Sequence, residues 1–357
     1  MALYDRPANF TAFQAISEAQ KLAFSPIAFQ ASVALVRLGI LEAVGRAGER
    51  GAGAQEIAEQ LGLDDYGVSV LLDMGLSVGL VWLRGDRYVL DKVGHFWLND
   101  KMTRVNANFV ADVCYKAMDR LQDSVERHTP CGLEQFGEGR TLYPKLTVLP
   151  EPARGSWFSF DQFYSDAAFG PALPIVFAGR PRHIADIGGN TGAWARRCTA
   201  FDPSVRVTIV DLPEQIAAAR TELRATPNRA RIDLWPADLL EPTVALPNDA
   251  DTFWMSQLLD CFSEADIAAI LPRVRDALPA NGSLFVLELL WDRQQYDAAA
   301  YSVNATSLYF TCIANGVSRM YRSDDLLRLL DAAGFDLQAQ HDHLGLGHTL
   351  LHCIKRA

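Results

Sequence analysis

From residue 181 to the end of the chain, stretches with the composition of strands alternate with stretches that have the spacing of helices. The predicted strands are RHIADIGG, VRVTIVDLP, RIDLWPAD, DTFWMSQLL, GSLFVLELL and HTLLHCIKRA, and the predicted helices among them are GAWARRCTAFD, EQIAAARTEL, SEADIAAILPRVRDAL and SDDLLRLLDAAGF. Such alternation builds a mostly parallel sheet, because each parallel connection needs a crossover that covers one face. We therefore predict a doubly wound, Rossmann-like α/β domain over residues 181–357.

The first 110 residues carry a different pattern, in which helices are followed by a short hairpin. PIAFQASVALVRLGILEAV has a helical apolar stripe, AQEIAEQLGLDDYGVSVLLDMG contains two short helices separated at Gly62, and LVWLRGDRYVL turns at Gly85. This is the order of a winged-helix domain, whose usual role is DNA binding. Residues 31–100 hold ten acidic against six basic side chains, and the whole chain has a net charge of −10. We therefore expect no nucleic-acid partner and predict a mainly helical, winged-helix-like dimerisation domain that makes a homodimer.

Residues 101–180 have a mixed composition. VNANFVADVCYKAMDRLQDSVER is a helix candidate, whereas the following TLYPKLTVLPEPARGSWFSFDQFYSDAAFG combines proline, glycine and many aromatic residues. Trp157, Phe160 and Phe163 could line an aromatic pocket, or the segment could be a loop that packs on the core. Both interpretations stay open, and we predict that residues 111–180 are a helical and aromatic linker that contributes to the pocket of a small-molecule acceptor.

Several features indicate what the chain does not do. The start, MALYDRPANF, lacks the basic and apolar regions of a signal peptide, and no apolar run is long enough to cross a bilayer. We expect a cytoplasmic protein with no membrane partner. The six cysteines form no CxxC pair, and His341 and His343 have no third ligand nearby, so free thiols and no metal site are expected.

The segment HIADIGGNTGAW contains three glycines directly after the first predicted strand. Gly188, Gly189 and Gly192 follow Asp186, and a second carboxylate, Asp211, ends the next strand. In a doubly wound sheet ligands bind at the carboxyl ends of the strands, where glycines let a ligand approach the backbone. A carboxylate at the end of the second strand accepts the two hydroxyls of a ribose, so the site expects a nucleoside.

Two cofactors that contain a nucleoside, a nicotinamide dinucleotide and S-adenosylmethionine, fit this turn, and Asp186 distinguishes between them. A dinucleotide fingerprint needs a second spaced glycine where Asn190 stands, and a carboxylate before the turn would repel a pyrophosphate. The same carboxylate attracts the ammonium group of an amino acid, as a charge-assisted bond of about 1–3 kcal/mol. The acidic residue therefore favours S-adenosylmethionine.

The chain resembles the plant-type small-molecule O-methyltransferases, closely after residue 180 and loosely before it. DIGGNTG is similar to that family's DxGGGxG loop, VDLP matches its ribose motif, ADLLEP stands where the family has GDMF, and AAGF is typical near the end. The resemblance implies a methyltransferase-type sheet, S-adenosylmethionine as cofactor and an N-terminal dimerisation domain. It places Asp238 near the adenine amino group and Leu239 against the ring. The implied cofactor-binding residues are Asp186, Gly188, Gly189, Asn190, Gly192, Asp211, Leu212, Asp238, Leu239 and Ser256.

The catalytic segment departs from that family. Where the family reads LHDWSDED with histidine as the general base, this chain reads LDCFSEAD, with Asp260 at the base position and Phe262 in place of tryptophan. The family's first supporting acid is kept as Glu288, whereas Ser318 replaces the second. The resemblance therefore implies Asp260 and Glu288 as catalytic residues, with Phe262 and Ser318 in the acceptor pocket.

An ordinary aspartate is a poor base for a phenol, because their pKa values of about 3.9 and 10 differ by about six units. Three explanations stay open: burial beside Glu288 raises a carboxyl pKa, the acceptor is more acidic or is a carbon atom, or transfer relies on orientation alone. Asp260 could also be a turn residue without a chemical role, with His341, His343 or His348 as a substitute base.

We predict methyl transfer to a small aromatic or conjugated acceptor, with oxygen slightly favoured over carbon. A cofactor-binding relative with non-methyl chemistry, such as a hydroxylase or decarboxylase, is one alternative. A winged-helix regulator that senses a nucleoside is another, and Cys261 is expected to be a buried thiol rather than a nucleophile.

Overall fold

The computed structural model describes Tyr4 and residues 7–356, which form two compact units, one up to Val113 and one from Cys114 onward. Residues 114–180 therefore belong to the same compact unit as the C-terminal sheet. The domain boundaries that we placed at residues 110 and 180 stay predictions.

The first unit consists of six helices and one hairpin. The helices are α1 Ala12–Arg37, α2 Ile40–Ala47, α3 Ala54–Leu61, α4 Asp65–Ser77, α5 Lys92–Asn99 and α6 Lys101–Phe109, and the strands are β1 Val81–Arg84 and β2 Arg87–Leu90. Gly62 ends α3 in the left-handed conformation, at a φ of 66°. Leu35, Ile40 and Leu72 are among the buried residues of its core. The predicted helical domain with a hairpin is confirmed.

Helix α1 carries large apolar side chains on its surface. Phe13 is 82% exposed, Leu22 is 72% exposed and Ile16 is 61% exposed. Within the described residues no single helix is both long and apolar enough to cross a membrane. The pair Ala12–Arg37 and Ile40–Arg50 reaches that length and composition together, with a bend of 64° between its members.

The second unit is built on a seven-stranded sheet. Its strands are β3 His183–Ile187, β4 Arg206–Asp211, β5 Ile232–Pro236, β6 Thr252–Ser256, β7 Ser283–Glu288, β8 Phe335–Leu344 and β9 His348–Lys355, in the order β5-β4-β3-β6-β7-β9-β8. The first five are parallel, and β9 and β8 add an antiparallel edge. The predicted doubly wound, mostly parallel sheet is confirmed.

Helices cover both faces of the sheet. On one face lie α8 Ala153–Phe177, α9 Ala193–Phe201 and α10 Pro213–Glu222, and on the other lie α11 Glu264–Ala277 and α13 Ser323–Ala332. The unit also contains α7 Leu121–Arg127 and α12 Asp297–Tyr309. Trp194 on α9 stacks on Trp254 of β6, with ring centroids 3.9 Å apart and an angle of 11° between the planes. This stack holds the beginning of α9 against the sheet, directly after the glycine turn.

One of the two interpretations of the aromatic segment after residue 140 was a loop. That interpretation is wrong from residue 153 onward. Residues 153–177 form a continuous helix of 25 residues, although it contains Pro171 and Pro174. Its buried side chains at Ala168, Phe169, Ala172, Leu173 and Val176 have helical spacing. Burial of this stripe against the sheet outweighs the local preference of proline and glycine for turns. Helix α12 is a further element that the sequence pattern did not indicate.

Candidate functional site

The order of the strands reverses at β3, which pairs with β4 on one side and with β6 on the other. The glycine turn lies at the carboxyl end of β3, where Gly188 has a φ of 72° and Gly192 a φ of 82°. A Cβ atom on Gly189 would lie 2.6 Å from the Asp186 Oδ2 atom. The positive φ values and the close approach of Asp186 require glycine at this turn, which lies at the switch point where doubly wound sheets bind their ligands.

Asp211 closes β4 beside this turn. Its Oδ2 atom accepts a hydrogen bond from the Asn190 backbone N–H at 2.8 Å, and its Oδ1 atom accepts one from the Leu212 N–H at 2.7 Å. A carboxylate offers about four acceptor positions, so each oxygen keeps about one more. That arrangement can accept the two neighbouring hydroxyls of a ribose. Burial raises the pKa of Asp211 to about 6, against the effect of the two N–H donors.

Three buried polar atoms around the crevice have no hydrogen-bond partner among the described residues: the Asp186 Oδ2, the Asn190 Oδ1 and the Ser256 Oγ atoms. Buried polar groups are nearly always hydrogen-bonded, so these atoms indicate a ligand with polar groups of its own. Burial and the neighbouring Asp211 raise the pKa of Asp186 to about 8. A cationic group in the crevice would favour the ionised carboxylate, whereas a pyrophosphate would oppose it. The residues present therefore fit S-adenosylmethionine.

Asp238 and Leu239 follow β5 at the same edge of the sheet. Asp238 is half-buried and accepts a hydrogen bond from the Leu240 N–H at 2.9 Å. Leu239 is buried in the hydrophobic core beside Val210 and Ala237. Its contact with an adenine ring stays a prediction, since its side chain already packs in the protein interior.

The catalytic segment forms a tight turn after β6, which Glu288 holds from the end of β7. The Glu288 Oε1 atom accepts hydrogen bonds from the Leu258 N–H at 3.1 Å and the Leu259 N–H at 2.8 Å. Its Oε2 atom is buried without a partner among the described residues. Asp260 is 4% exposed, and its Oδ1 atom lies 3.4 Å from the Cys261 Sγ atom. Glu288 thus orients the turn that carries Asp260.

Burial changes the acid–base properties of both carboxyl groups. It raises the pKa of Asp260 to about 7; the Cys261 thiol opposes that shift and Asp161 adds to it. Burial, followed by repulsion from Asp260, holds the pKa of Glu288 well above its usual range. Both carboxyl groups therefore have raised pKa values, and Asp260 can gain or lose a proton near neutral pH. This environment matches the first of the three explanations for a base of this type.

Three polar residues near the turn were missed in the sequence. Asn315 lies within hydrogen-bond distance of the Tyr143 hydroxyl (3.0 Å), the Cys261 carbonyl (2.7 Å) and the Ser318 hydroxyl (2.8 Å). Asp161 on α8 acts electrostatically on Asp260, although the two are far apart in the chain. An aspartate among the aromatic residues of a helix was the available signal for Asp161.

The predicted pocket residues occupy different positions. The Trp157 Nε1–H donates to the Tyr309 hydroxyl at 2.7 Å. Burial, with contributions from Cys261 and Asp161, holds the pKa of Tyr309 well above its ordinary value. Phe160 and Phe163 both pack against Tyr164, with ring centroids at 5.1 and 5.5 Å. Ser318 is buried against Asn315, and the Phe262 carbonyl accepts a hydrogen bond from the Tyr321 hydroxyl at 2.6 Å.

Neither His343, His348 nor Cys261 offers a better base, and His341 lies half-buried on β8. His343 is exposed, and His348 is buried with its Nε2 atom 3.2 Å from the Gln257 Oε1 atom. Burial lowers the pKa of His348 to about 3, so it stays neutral. Burial holds the pKa of the Cys261 thiol well above its ordinary value, which keeps it protonated. Among the described residues no group of three His, Cys, Asp or Glu side chains is arranged to hold a metal ion.

Comparison with known proteins decides the family. A family model for an O-methyltransferase domain matches residues 177–336, and a Dimerisation2-like domain model matches residues 17–88. The chain thus carries an O-methyltransferase domain over residues 177–336, preceded by a dimerisation-type domain. It is accordingly a methyltransferase that depends on S-adenosylmethionine, and the predicted family and cofactor are confirmed.

Individual relatives agree with this assignment. The chain is 29% identical over 288 residues to the 3-hydroxy-5-methyl-1-naphthoate 3-O-methyltransferase of Streptomyces sahachiroi, covering 77% of this chain and 78% of the relative. It is 27% identical over 311 residues to the 3-amino-4-hydroxybenzoate 4-O-methyltransferase of Streptomyces cremeus, covering 84% and 80%. The solved structure of the S-adenosylmethionine-dependent methyltransferase SibL shares the fold, with a TM-score of 0.73, 21% identity and coverage of 96% of this chain and 100% of that chain.

Proposed function

We propose that this enzyme methylates a hydroxyl group of a small aromatic acceptor and that Asp260 takes up the acceptor proton. The buried Asp260–Glu288 pair beside the nucleoside crevice carries this proposal. The pKa of Asp260, raised to about 7 by burial, brings the carboxylate closer to the pKa of a phenol than an exposed aspartate. The two Streptomyces relatives also support it, since each is named as an O-methyltransferase of a hydroxylated aromatic compound.

The glycine turn and the two strand-end carboxylates would hold the cofactor. In this proposal Asp186 faces the ammonium group, Asp211 accepts the ribose hydroxyls, and Gly188, Gly189 and Gly192 let the backbone approach. The bound cofactor supplies a methyl group on a positively charged sulfur, which is already a reactive donor. The chain then has to orient the acceptor, exclude water and accept one proton at the Asp260 carboxylate.

The acceptor site would lie beside Asp260, near Trp157, Asn315 and Ser318. Aromatic and apolar side chains favour a flat acceptor. The Asn315 amide, which donates towards Tyr143, Cys261 and Ser318, would hold this side of the site in place. We further propose that the N-terminal unit makes a homodimer, because it matches a dimerisation domain and exposes apolar side chains on α1. The exposure of Phe13 and Leu22 is the surface observation that supports this.

The decisive experiment measures methyl transfer and cofactor affinity separately. A panel of phenols is incubated with methyl-labelled S-adenosylmethionine, and the rate at saturating cofactor is compared between the parent enzyme and Asp260→Asn. Loss of a general base costs about 10²- to 10⁴-fold in rate, with cofactor affinity unchanged. Asp276→Asn is the matched control, because Asp276 is exposed at the end of α11 and pairs with Arg275. Equal rates for the parent enzyme and Asp260→Asn would remove Asp260 from the mechanism.

Analysis of the product decides between oxygen and carbon as the methylated atom. NMR distinguishes a methoxy group from a ring methyl group directly. A ring methyl group would replace O-methylation by C-methylation while keeping the same cofactor site. Cofactor binding without any methylated product across the panel would favour non-methyl chemistry instead.

A further inference from the structure

A cavity of about 330 Å³ lies beside Ser318, next to the catalytic turn after β6. Its volume is at the lower end of the range for ligand pockets, roughly 300–1,000 Å³. Two of the residues that line it also hold the turn. The Tyr321 hydroxyl donates to the Phe262 carbonyl at 2.6 Å, and the Asn315 Nδ2 atom lies 2.8 Å from the Ser318 Oγ atom and 2.7 Å from the Cys261 carbonyl oxygen.

Another wall of the cavity comes from a distant part of the chain. His128 lines the cavity and ends α7 in the left-handed conformation, at a φ of 54°. Gly316 lines it as well, and a Cβ atom at that position would lie 2.7 Å from the Pro130 backbone nitrogen. Because Gly316 has no side chain, the segment after His128 packs directly against the loop that carries Ser318. Tertiary contacts between two separate segments therefore form the cavity.

Arg319 lines the cavity, and part of its hydrogen-bonding capacity is unused. Its Nη2 atom lies 3.3 Å from the Glu264 Oε1 atom and 2.9 Å from the Asp325 Oδ2 atom. Within the described residues its Nη1 and Nε atoms make no hydrogen bond. A guanidinium carries five N–H donors, so the two on Nη1 and the one on Nε are available to a ligand. A ring N–H of His128 and the Ser318 hydroxyl are further donors in the same cavity.

Arg319 can turn towards a ligand without leaving a carboxylate unpaired. Glu264 keeps Arg328 as a partner at 2.7 Å, and Asp325 keeps the same guanidinium at 3.9 Å. The Arg319 side chain is 51% exposed, so it has room to move. Glu264 stays at the cavity as a negative charge, and like charges placed side by side repel each other. A ligand with one negative charge therefore fits better than a phosphate dianion.

We propose that this cavity binds the carboxylate of a small aromatic acid. Arg319 holds the carboxylate, and His128 and Ser318 donate further hydrogen bonds. The carboxylate alone would leave most of the volume empty, since one water molecule occupies about 30 Å³. Val317 and Tyr321 line the remaining space with apolar and aromatic surface, which suits a ring. Two molecules can carry this group, the methyl acceptor itself and a separate aromatic acid, and the chemistry that recognises it is the same.

Calorimetry on the full-length enzyme, with benzoate as the probe and benzamide as its neutral analogue, tests the site. Benzoate is expected to bind at least about tenfold more tightly than benzamide, because only the carboxylate makes charge-assisted bonds. Arg319→Ala should weaken benzoate binding about 10- to 100-fold. Arg322→Ala is the matched control, since Arg322 is 54% exposed and pairs with Asp324 at 3.3 Å, and it should leave benzoate binding unchanged. An unchanged affinity for S-adenosylhomocysteine shows that both variants are folded.

His128→Gly supplies a second arm, because glycine keeps the left-handed conformation and removes the ring. Loss of one hydrogen bond should weaken benzoate binding about threefold to tenfold. Equal affinities for benzoate and benzamide would overturn the proposal, and so would benzoate binding that is unchanged in Arg319→Ala. Inorganic phosphate that binds more tightly than benzoate would contradict the assignment to a single carboxylate.

Inhibition of methyl transfer by benzoate distinguishes the two sources of the carboxylate. Inhibition that is competitive with a methylated phenol supports a carboxylate on the acceptor, whereas noncompetitive inhibition supports a separate acid. In either case Arg319→Ala should raise the inhibition constant by the same factor as the Kd. Benzoate binding in an enzyme that methylates no phenol would count against the proposed function and leave this site standing, because calorimetry does not depend on transfer.

Discussion

Replacing Asp211 by alanine should weaken cofactor binding far more than it weakens the fold. Asp211 ends β4, and its two carboxylate oxygens accept the Asn190 and Leu212 N–H groups at 2.8 and 2.7 Å. About four acceptor positions minus these two leaves about two, one for each hydroxyl of a ribose. In Asp211→Ala the two backbone N–H groups and the two ribose hydroxyls lose their acceptor together.

The size of the effect follows from the hydrogen bonds lost. A hydrogen bond to a charged group contributes about 1.5–3 kcal/mol, and the two in one site are not additive, so we expect about 3 kcal/mol in cofactor binding. At about 1.4 kcal/mol for each factor of ten, this is an increase in Kd of roughly 100-fold. The free protein should lose about 1–3 kcal/mol of stability, because the Asn190 and Leu212 N–H groups become unsatisfied.

Calorimetry with S-adenosylhomocysteine and urea unfolding measure the two quantities separately. Asp202→Ala is a matched control, because Asp202 accepts the Ser204 and Val205 N–H groups at 2.7 and 3.1 Å before β4 begins, at the opposite edge of the sheet. It should lose stability without losing cofactor affinity. An Asp211→Ala enzyme that binds the cofactor as tightly as the parent would refute the assignment of the ribose to this carboxylate.

Three further predictions concern the same edge of the sheet. Gly189→Ala should abolish tight cofactor binding, since its Cβ would lie 2.6 Å from the Asp186 Oδ2 atom. The control Gly170→Ala should keep its affinity, because open space surrounds that position, and equal affinities in both variants would contradict the packing argument. Cofactor affinity should rise with pH up to about 8, because Asp186 must lose its proton to face a cation, and calorimetry in two buffers should detect proton release that Asp186→Asn abolishes; proton release that persists in that variant would assign it to another group. The kcat/KM for methyl transfer should rise through a pH of about 7, because Asp260 is active as the carboxylate, and a profile that is flat from pH 6 to 8 would contradict the assignment.

The cofactor half of the site could be predicted from the sequence because its signals are local. The glycine turn, the preceding Asp186 and the strand-end Asp211 lie in two short motifs, and a parallel sheet brings the carboxyl ends of neighbouring strands together. Strand and helix alternation predicted the sheet for the same reason. Periodicity and turn residues act over a few positions, so they can be recognised in one sequence.

The acceptor half could not be predicted in the same way. Asp161 and Asp260 come from distant parts of the chain, and only the packing of α8 in the folded unit brings their charges within reach. The same holds for Tyr143 and Asn315, which meet through a side-chain hydrogen bond between distant segments. Helix α8 itself was obscured by its prolines, because local preference was outweighed by tertiary burial.

The central claim is that two strand-end carboxylates recognise two different parts of the cofactor, the ribose and the ammonium group, and a crystal structure with bound S-adenosylhomocysteine tests it most directly. We expect the ribose hydroxyls within hydrogen-bond distance of the Asp211 carboxylate and the ammonium group on the side of Asp186, over the turn at Gly188–Gly192. A nucleoside bound elsewhere, or one whose amino-acid end points away from Asp186, would contradict the account.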